Sequence, residues 1–155
     1  MTIGDYISPR SRPGPSRTRI ERRLAAILGA DIAGYSALME RDEESTHQKV
    51  GAELECFNHE IKKSSGRVFS FAGDGLMAEF PSSVEALRCS LRMQADAERR
   101  NAARSAPDAI RFRIGLNSGE LVIQNGRTGG TATNTAARLE QIAQPGLICF
   151  SAAVF

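Results

Sequence analysis

Two apolar runs in this chain each end on a carboxylate, and that repetition narrows the folds open to it. Leu24-Ala-Ala-Ile-Leu-Gly-Ala leads into Asp31, and Arg67-Val-Phe-Ser-Phe-Ala-Gly leads into Asp74, the centre of a Gly73-Asp74-Gly75 turn. Short apolar runs bounded by glycine read as buried strands. A carboxylate at a strand end is held rigidly while its oxygens face solvent or a ligand. Two of them on neighbouring strands can share hard, oxygen-preferring cations such as Mg²⁺. Capping of turn amides is the plainer alternative for both.

The rest of the chain supplies elements around these runs. The first strand is expected over 23–32. Residues 43–63 carry Val50, Leu54, Phe57 and Ile61 at helical intervals, with Asp42 as N-cap and Ser65-Gly66 as the stop. A hairpin, 67–72 with 76–80, turns on Asp74. Pro81-Ser82-Ser83 opens a helix that runs to about 103. Residues 110–117 alternate as a strand, Ser118-Gly119 separates it from a second strand over 120–124, and 126–130 reads as a loop. A helix over 133–143 ends at Pro145-Gly146, and 147–150 is a short strand. The order β-α-β-β-α-β with an added strand and helix is the split βαβ pattern. It predicts an α+β, ferredoxin-like antiparallel sheet with helices packed on one face.

A chain of 155 residues has room for one domain and one core. The net charge is +2, and Arg10, Arg12, Arg17, Arg19, Arg22 and Arg23 crowd its start, so no nucleic-acid partner is expected from charge. Residues 1–20 are rich in Pro, Ser and Arg and read as a disordered basic tail. The domain proper is expected over 21–155. Cys56, Cys89 and Cys149 are widely spaced, with no Cys-x-x-Cys, and read as free thiols of a reducing compartment. No apolar stretch reaches the length of a membrane span and no signal peptide is visible, so the expectation is a soluble, cytoplasmic chain.

A third segment completes the chemistry. Asn134-Thr-Ala-Ala-Arg138-Leu-Glu140 puts an amide and a guanidinium on one face of a helix. Carboxylates for metal plus an Asn/Arg face suit phosphoryl or nucleotidyl transfer. Asp31-Ile-Ala-Gly-Tyr-Ser36, Gly73-Asp-Gly-Leu76, Arg113-Ile-Gly-Leu-Asn-Ser-Gly119 and Asn134 to Glu140 occur in this order, after an Arg22-Arg-Leu-Ala-Ala-Ile-Leu28 opening. Together they resemble the catalytic domain of the class III adenylate/guanylate cyclases, bacterial branch, over residues 22–155 without a gap.

The resemblance implies specific roles. Asp31 and Asp74 match the positions that hold two Mg²⁺ or Mn²⁺ ions, and the backbone amides of Ile32, Ala33 and Gly34 become candidates to cradle phosphate oxygens. Asn134 and Arg138 match positions that orient the ribose and stabilise charge at the transferring α-phosphate. A surface Arg138 paired with Glu140 is the alternative. The resemblance further implies a homodimer with the site at its interface, and conversion of a nucleoside triphosphate, ATP by the branch matched, to its 3′,5′-cyclic monophosphate.

Three departures accompany it. A Lys four residues before the second Asp and an Asp or Thr seven before the Asn read adenine in this family; here those positions hold Ser70 and Arg127. Arginine has no acceptor for an exocyclic amine but can donate to a guanine O6 or N7. Arg127 as a solvent-facing loop residue is the other reading. The family domain also continues beyond the last strand through a helix and a terminal hairpin that supplies a Lys to the triphosphate, so the expected domain lacks that hairpin. A cyclase-like binding or dimerisation module without turnover is the rival class.

Overall fold

The computed structural model describes residues 19–155, so the expectation for the N-terminal tail lies almost wholly outside the described residues. The first strand, β1 (Ile20–Ile32), is the spine of the sheet, and from Ala25 to Ala30 every residue is buried. A helix α1 (Tyr35–Arg41) and a longer α2 (Glu43–Lys63) follow. The Asp42 carboxylate caps α2 by accepting from the Ser45 amide at 3.0 Å, as expected from sequence. The hairpin β2 (Arg67–Ala72) and β3 (Gly75–Phe80) leads to α3 (Ser83–Asn101), capped by the Ser82 hydroxyl.

The chain then crosses the sheet in β4 (Phe112–Gln124), turns into β5 (Arg127–Gly129), and continues through α4 (Thr131–Ile142) to β6 (Ile148–Phe150). The strand order is β2-β3-β1-β4-β5, antiparallel throughout, with β6 added parallel to the other end of β4.

The α+β class and the ferredoxin-like antiparallel sheet agree with expectation; the short helix α1 was not expected, and three further details differ. Residues 110–124 were expected to form two strands, yet β4 pairs with β1 without a break from Phe112 to Gln124. Gly119 is not an interruption: a Cβ there would lie 2.7 Å from the Ala132 side chain, so its bareness admits α4. The loop expected over 126–130 holds a strand. Asn125 and Gly126 both have positive φ, 52° and 74°, which makes them the two-residue turn of a β4–β5 hairpin.

The third difference concerns the helices. Ala26, Leu28, Ala30 and Ile32 of β1 face α2 and α3 across the main core, where Phe57 and Phe112 meet edge to face at 5.0 Å. Ala25 and Ile27 point the opposite way, into a smaller cluster with Leu121 and Ala136. The helix α4 therefore lies on the opposite face rather than beside its neighbours. It reaches the sheet over Gly29, Gly115 and Gly119, where absent side chains permit backbone contact. No described helix is long and apolar enough to cross a membrane.

Candidate active site

Sheet register brings the two acidic positions together. Asp31 pairs with Gly75 in the β1–β3 ladder, so Asp74 stands beside it in the turn before β3. The Ile32 amide donates to the Asp74 carbonyl at 3.2 Å and ties the turn to the end of β1. Gly75 is required there, because a Cβ would come within 2.8 Å of the Ala30 carbonyl oxygen. A register shift between Val68 and Ser70 aligns Ser70 with Met77, on the face that also carries Asp31. Asp31, Ser70 and Asp74 consequently line one cleft of about 250 Å³, together with Glu140 and Gln141 from α4.

Glu140 in this cleft and Arg113 behind Asp31 are two further charged residues to which no catalytic or binding role was assigned from sequence. Arg113 lies opposite Asp31 in the β1–β4 register. Its Nε donates to Asp31 Oδ1 at 2.8 Å and its Nη2 to Asp31 Oδ2. Glu140 Oε1 lies 3.7 Å from Arg113 Nη2, so the Arg138–Glu140 surface pair considered from sequence gives way to an inward pairing. Burial first, and the neighbouring Asp31 second, push the Glu140 carboxyl up to about 8. Asp31 also holds the Arg113 guanidinium above its usual range. Arg113 stands in the quoted Arg-Ile-Gly-Leu motif and Glu140 closes the Asn-to-Glu motif, which is the signal that could have found them.

Asn134 and Arg138 are both exposed on α4. Ala132, Ala136 and Glu140 occupy the stripe that meets the sheet. Positions two residues away lie roughly 200° around the helix. The Asn/Arg pair therefore points away from the sheet that carries Asp31 and Asp74, and one chain does not bring the four residues together.

The remaining expectations divide. The Ile32 and Ala33 amides are already engaged, donating to the Asp74 and Arg111 carbonyls at 3.2 and 2.8 Å, so neither is free to cradle phosphate. Gly34, with φ 66°, directly precedes α1 and is the member of that trio left in place. Arg127 lies in β5 opposite Gln124 and lines an open groove with Asn125, Thr128 and Gly130. It shares no cleft with Ser70 in one chain. The cysteines are free; burial pushes the Cys89 thiol up to about 11, which removes it as a nucleophile.

The donors in the cleft suit a hard cation. Asp31 and Asp74 offer only oxygen donors to it. Among the described residues no three His, Cys, Asp or Glu converge as a ready-made cage, so a Mg²⁺ or Mn²⁺ ion would draw further oxygens from substrate and water.

Comparisons with known proteins place the chain. No protein-family model matches the chain. A Rhizobium meliloti protein named "Putative adenylate cyclase 3" is 40% identical over 137 residues, covering 88% of this chain and 23% of the relative. The chain thus spans about a quarter of that relative's length. The solved structure of an adenylate/guanylate cyclase/hydrolase from Silicibacter pomeroyi is 41% identical, with a TM-score of 0.81 over 88% of this chain and 80% of that one. The adenylyl cyclase CyaB of P. aeruginosa shares the fold, with a TM-score of 0.79 at 20% identity over 88% of this chain and 80% of that one. The identity to the Silicibacter structure, its coverage and the shared fold give one assignment: the chain belongs to the class III adenylate/guanylate cyclase family.

Proposed function

We propose that this domain converts a nucleoside triphosphate, ATP in preference, to the 3′,5′-cyclic monophosphate and pyrophosphate at a site shared by two copies of the chain. One observation carries the reading. Asp31 and Asp74 share a cleft, while Asn134 and Arg138 face outward from α4 where only a second molecule can use them.

In the reaction the ribose 3′-oxygen attacks the α-phosphorus. A new P–O bond forms, the bond to the β-phosphate bridging oxygen breaks, and pyrophosphate leaves with the electron pair while the 3′-hydroxyl proton passes to solvent. Bound Mg²⁺ or Mn²⁺ supplies charge neutralisation and a lowered 3′-hydroxyl pKa. Asp31 and Asp74 hold the ions from one copy. Asn134 of the other copy orients the ribose, and Arg138 meets the charge that develops on the α-phosphate, for which a planar, permanently charged fork is suited. The Gly34 amide of the first copy donates to a phosphate oxygen.

The test is Mn²⁺-supported formation of cyclic nucleotide by the purified protein, with Asp74→Ala as control. Loss of about 10³-fold or more on that substitution corresponds to roughly 4 kcal/mol of barrier and supports the reading. Unchanged turnover in Asp74→Ala overturns it. A second reading, a nucleotide-binding or dimerisation module, is favoured by Ser70 and Arg127 at the base-reading positions. Metal-dependent binding of ATP or GTP with no product would select it.

A further inference from the structure

Arg113 sits between two carboxyl groups and serves only one of them. Both oxygens of Asp31 are engaged by its Nε and Nη2, while Glu140 Oε1 waits 3.7 Å from Nη2, beyond hydrogen-bond range. A hydrogen bond of 3.3 Å from Nη1 to the Gln141 carbonyl oxygen tethers the guanidinium to the end of α4. The Arg113, Asp31 and Glu140 side chains are 28%, 18% and 12% exposed, so water screens them little.

A carboxylate gripped at both oxygens by a guanidinium is poorly available to a cation. Its lone pairs are committed, and a second positive charge on the same group would stand against the first. The guanidinium has to yield before Asp31 can ligate. Among the described residues, Glu140 carries the other carboxyl group within 4 Å of it. The nitrogen that binds Asp31 Oδ2 is the same one that lies 3.7 Å from Glu140 Oε1, so a single Nη2 faces both acceptors. The acceptor is also fixed in place, because the Glu140 backbone rests directly on Gly115, two residues along β4 from Arg113.

We propose that Arg113 is a built-in competitor for Asp31, and that Glu140 is the positioning residue that receives its guanidinium when Asp31 turns to a divalent cation. This rests on the reading of Asp31 and Asp74 as the metal carboxylates. The free cleft is then closed by a salt bridge, and metal affinity depends on how well the displaced arginine is accommodated.

The experiment is a double-mutant cycle on metal affinity, without turnover. Mn²⁺ binding is titrated by the loss of the free-ion EPR signal in the parent, Glu140→Gln, Arg113→Gln, the double variant and Asp74→Ala. The parent binds Mn²⁺ and Asp74→Ala does not. Arg113→Gln binds more tightly. Glu140→Gln weakens binding about tenfold while Arg113 is present, yet changes it less than about twofold in the Arg113→Gln background, a coupling of the size contacting residues show.

Equal weakening in both backgrounds would mean that Glu140 acts only as a general negative charge, and overturns the proposal. So does no weakening at all. A parent without Asp74-dependent Mn²⁺ binding overturns the metal assignment and the exchange together, which separates that failure from the others. The parent protein gives an independent check that needs no variant to fold. Addition of Mg²⁺ is expected to shift the Arg113 Nε–H NMR resonance, and a resonance that stays in place refutes the exchange.

Discussion

Gly115 on β4 and Glu140 on α4 are in backbone contact: a Cβ on the glycine would come within 2.9 Å of the Glu140 Cα and closer still to its amide nitrogen. That contact is what brings a helix on the far face of the sheet into range of the acidic cleft. Gly115→Ala is expected to lift α4 and to cost about 2–3 kcal/mol of stability, in the range of overpacked sites. Chemical denaturation of both proteins measures it. A change under about 0.5 kcal/mol, the level of ordinary surface substitutions, would show that α4 adapts freely.

The opposed directions of the acidic pair and the Asn/Arg pair lead to a complementation test. Asp31→Ala and Arg138→Ala chains are each expected to be nearly inactive alone. On mixing, half of the chain pairs are mixed pairs when exchange is random, and each of those holds one undamaged site. About a quarter of parental turnover per site should return. Heterodimers that form without any recovery would disprove the shared site.

The Glu140 carboxyl connects the same cleft to pH. Its ordinary value of 4.5 rises to about 8 in the folded chain through burial and its acidic neighbours. The folded protein thus keeps a proton that the unfolded chain releases. The contribution of this group to stability is complete below about pH 4.5 and is lost as pH rises through 8. Glu140→Gln retains the neutral shape and removes the dependence. In metal-free buffer it should melt above the parent at pH 8.5, by about 4 °C for each kcal/mol recovered. Parallel melting profiles from pH 5 to 9 would contradict this.

Base selection is the fourth expectation. Ser70 lines the acidic cleft, but Arg127 does not join it, and the two replace a lysine and an acidic or threonine acceptor of the adenine-reading family pattern. Each missing contact to a base edge costs about 1–3 kcal/mol of discrimination. Selectivity should therefore be poor, with kcat/KM for ATP only slightly above that for GTP, and Ser70→Lys with Arg127→Asp should move the preference further towards ATP. Strong ATP selectivity in the parent would assign base reading to other residues.

The main elements along the chain, the Asp42 cap and the placing of both carboxylates at a strand end and a turn were legible in the sequence, because strand ends, caps and glycine turns leave local marks. The Asn125-Gly126 pair was an equally local mark of a tight hairpin, but its partner strand is only Arg127–Gly129, too short to show periodicity. Gly119 looked like a break because a glycine weakens a strand in isolation; its purpose is set by Ala132, which no local pattern reveals. The unbroken apolar stretch from Leu24 to Ala30 was the trace of a strand covered on both faces, where one-sided packing would have alternated. Arg113 and Glu140 sit within recognisable motifs, yet their meeting depends on how α4 crosses Gly115. That is a property of the assembled sheet.

The hydrogen bond from the Ile32 amide to the Asp74 carbonyl makes the spacing of the two carboxylates a matter of main chain. Side-chain changes elsewhere in the core can lower the melting point while leaving that spacing intact, as long as the ladder closes. The same amide is also a gauge. Its exchange with solvent deuterium reports how often the turn lifts from the strand, and so how much of the time the two carboxylates stand in register.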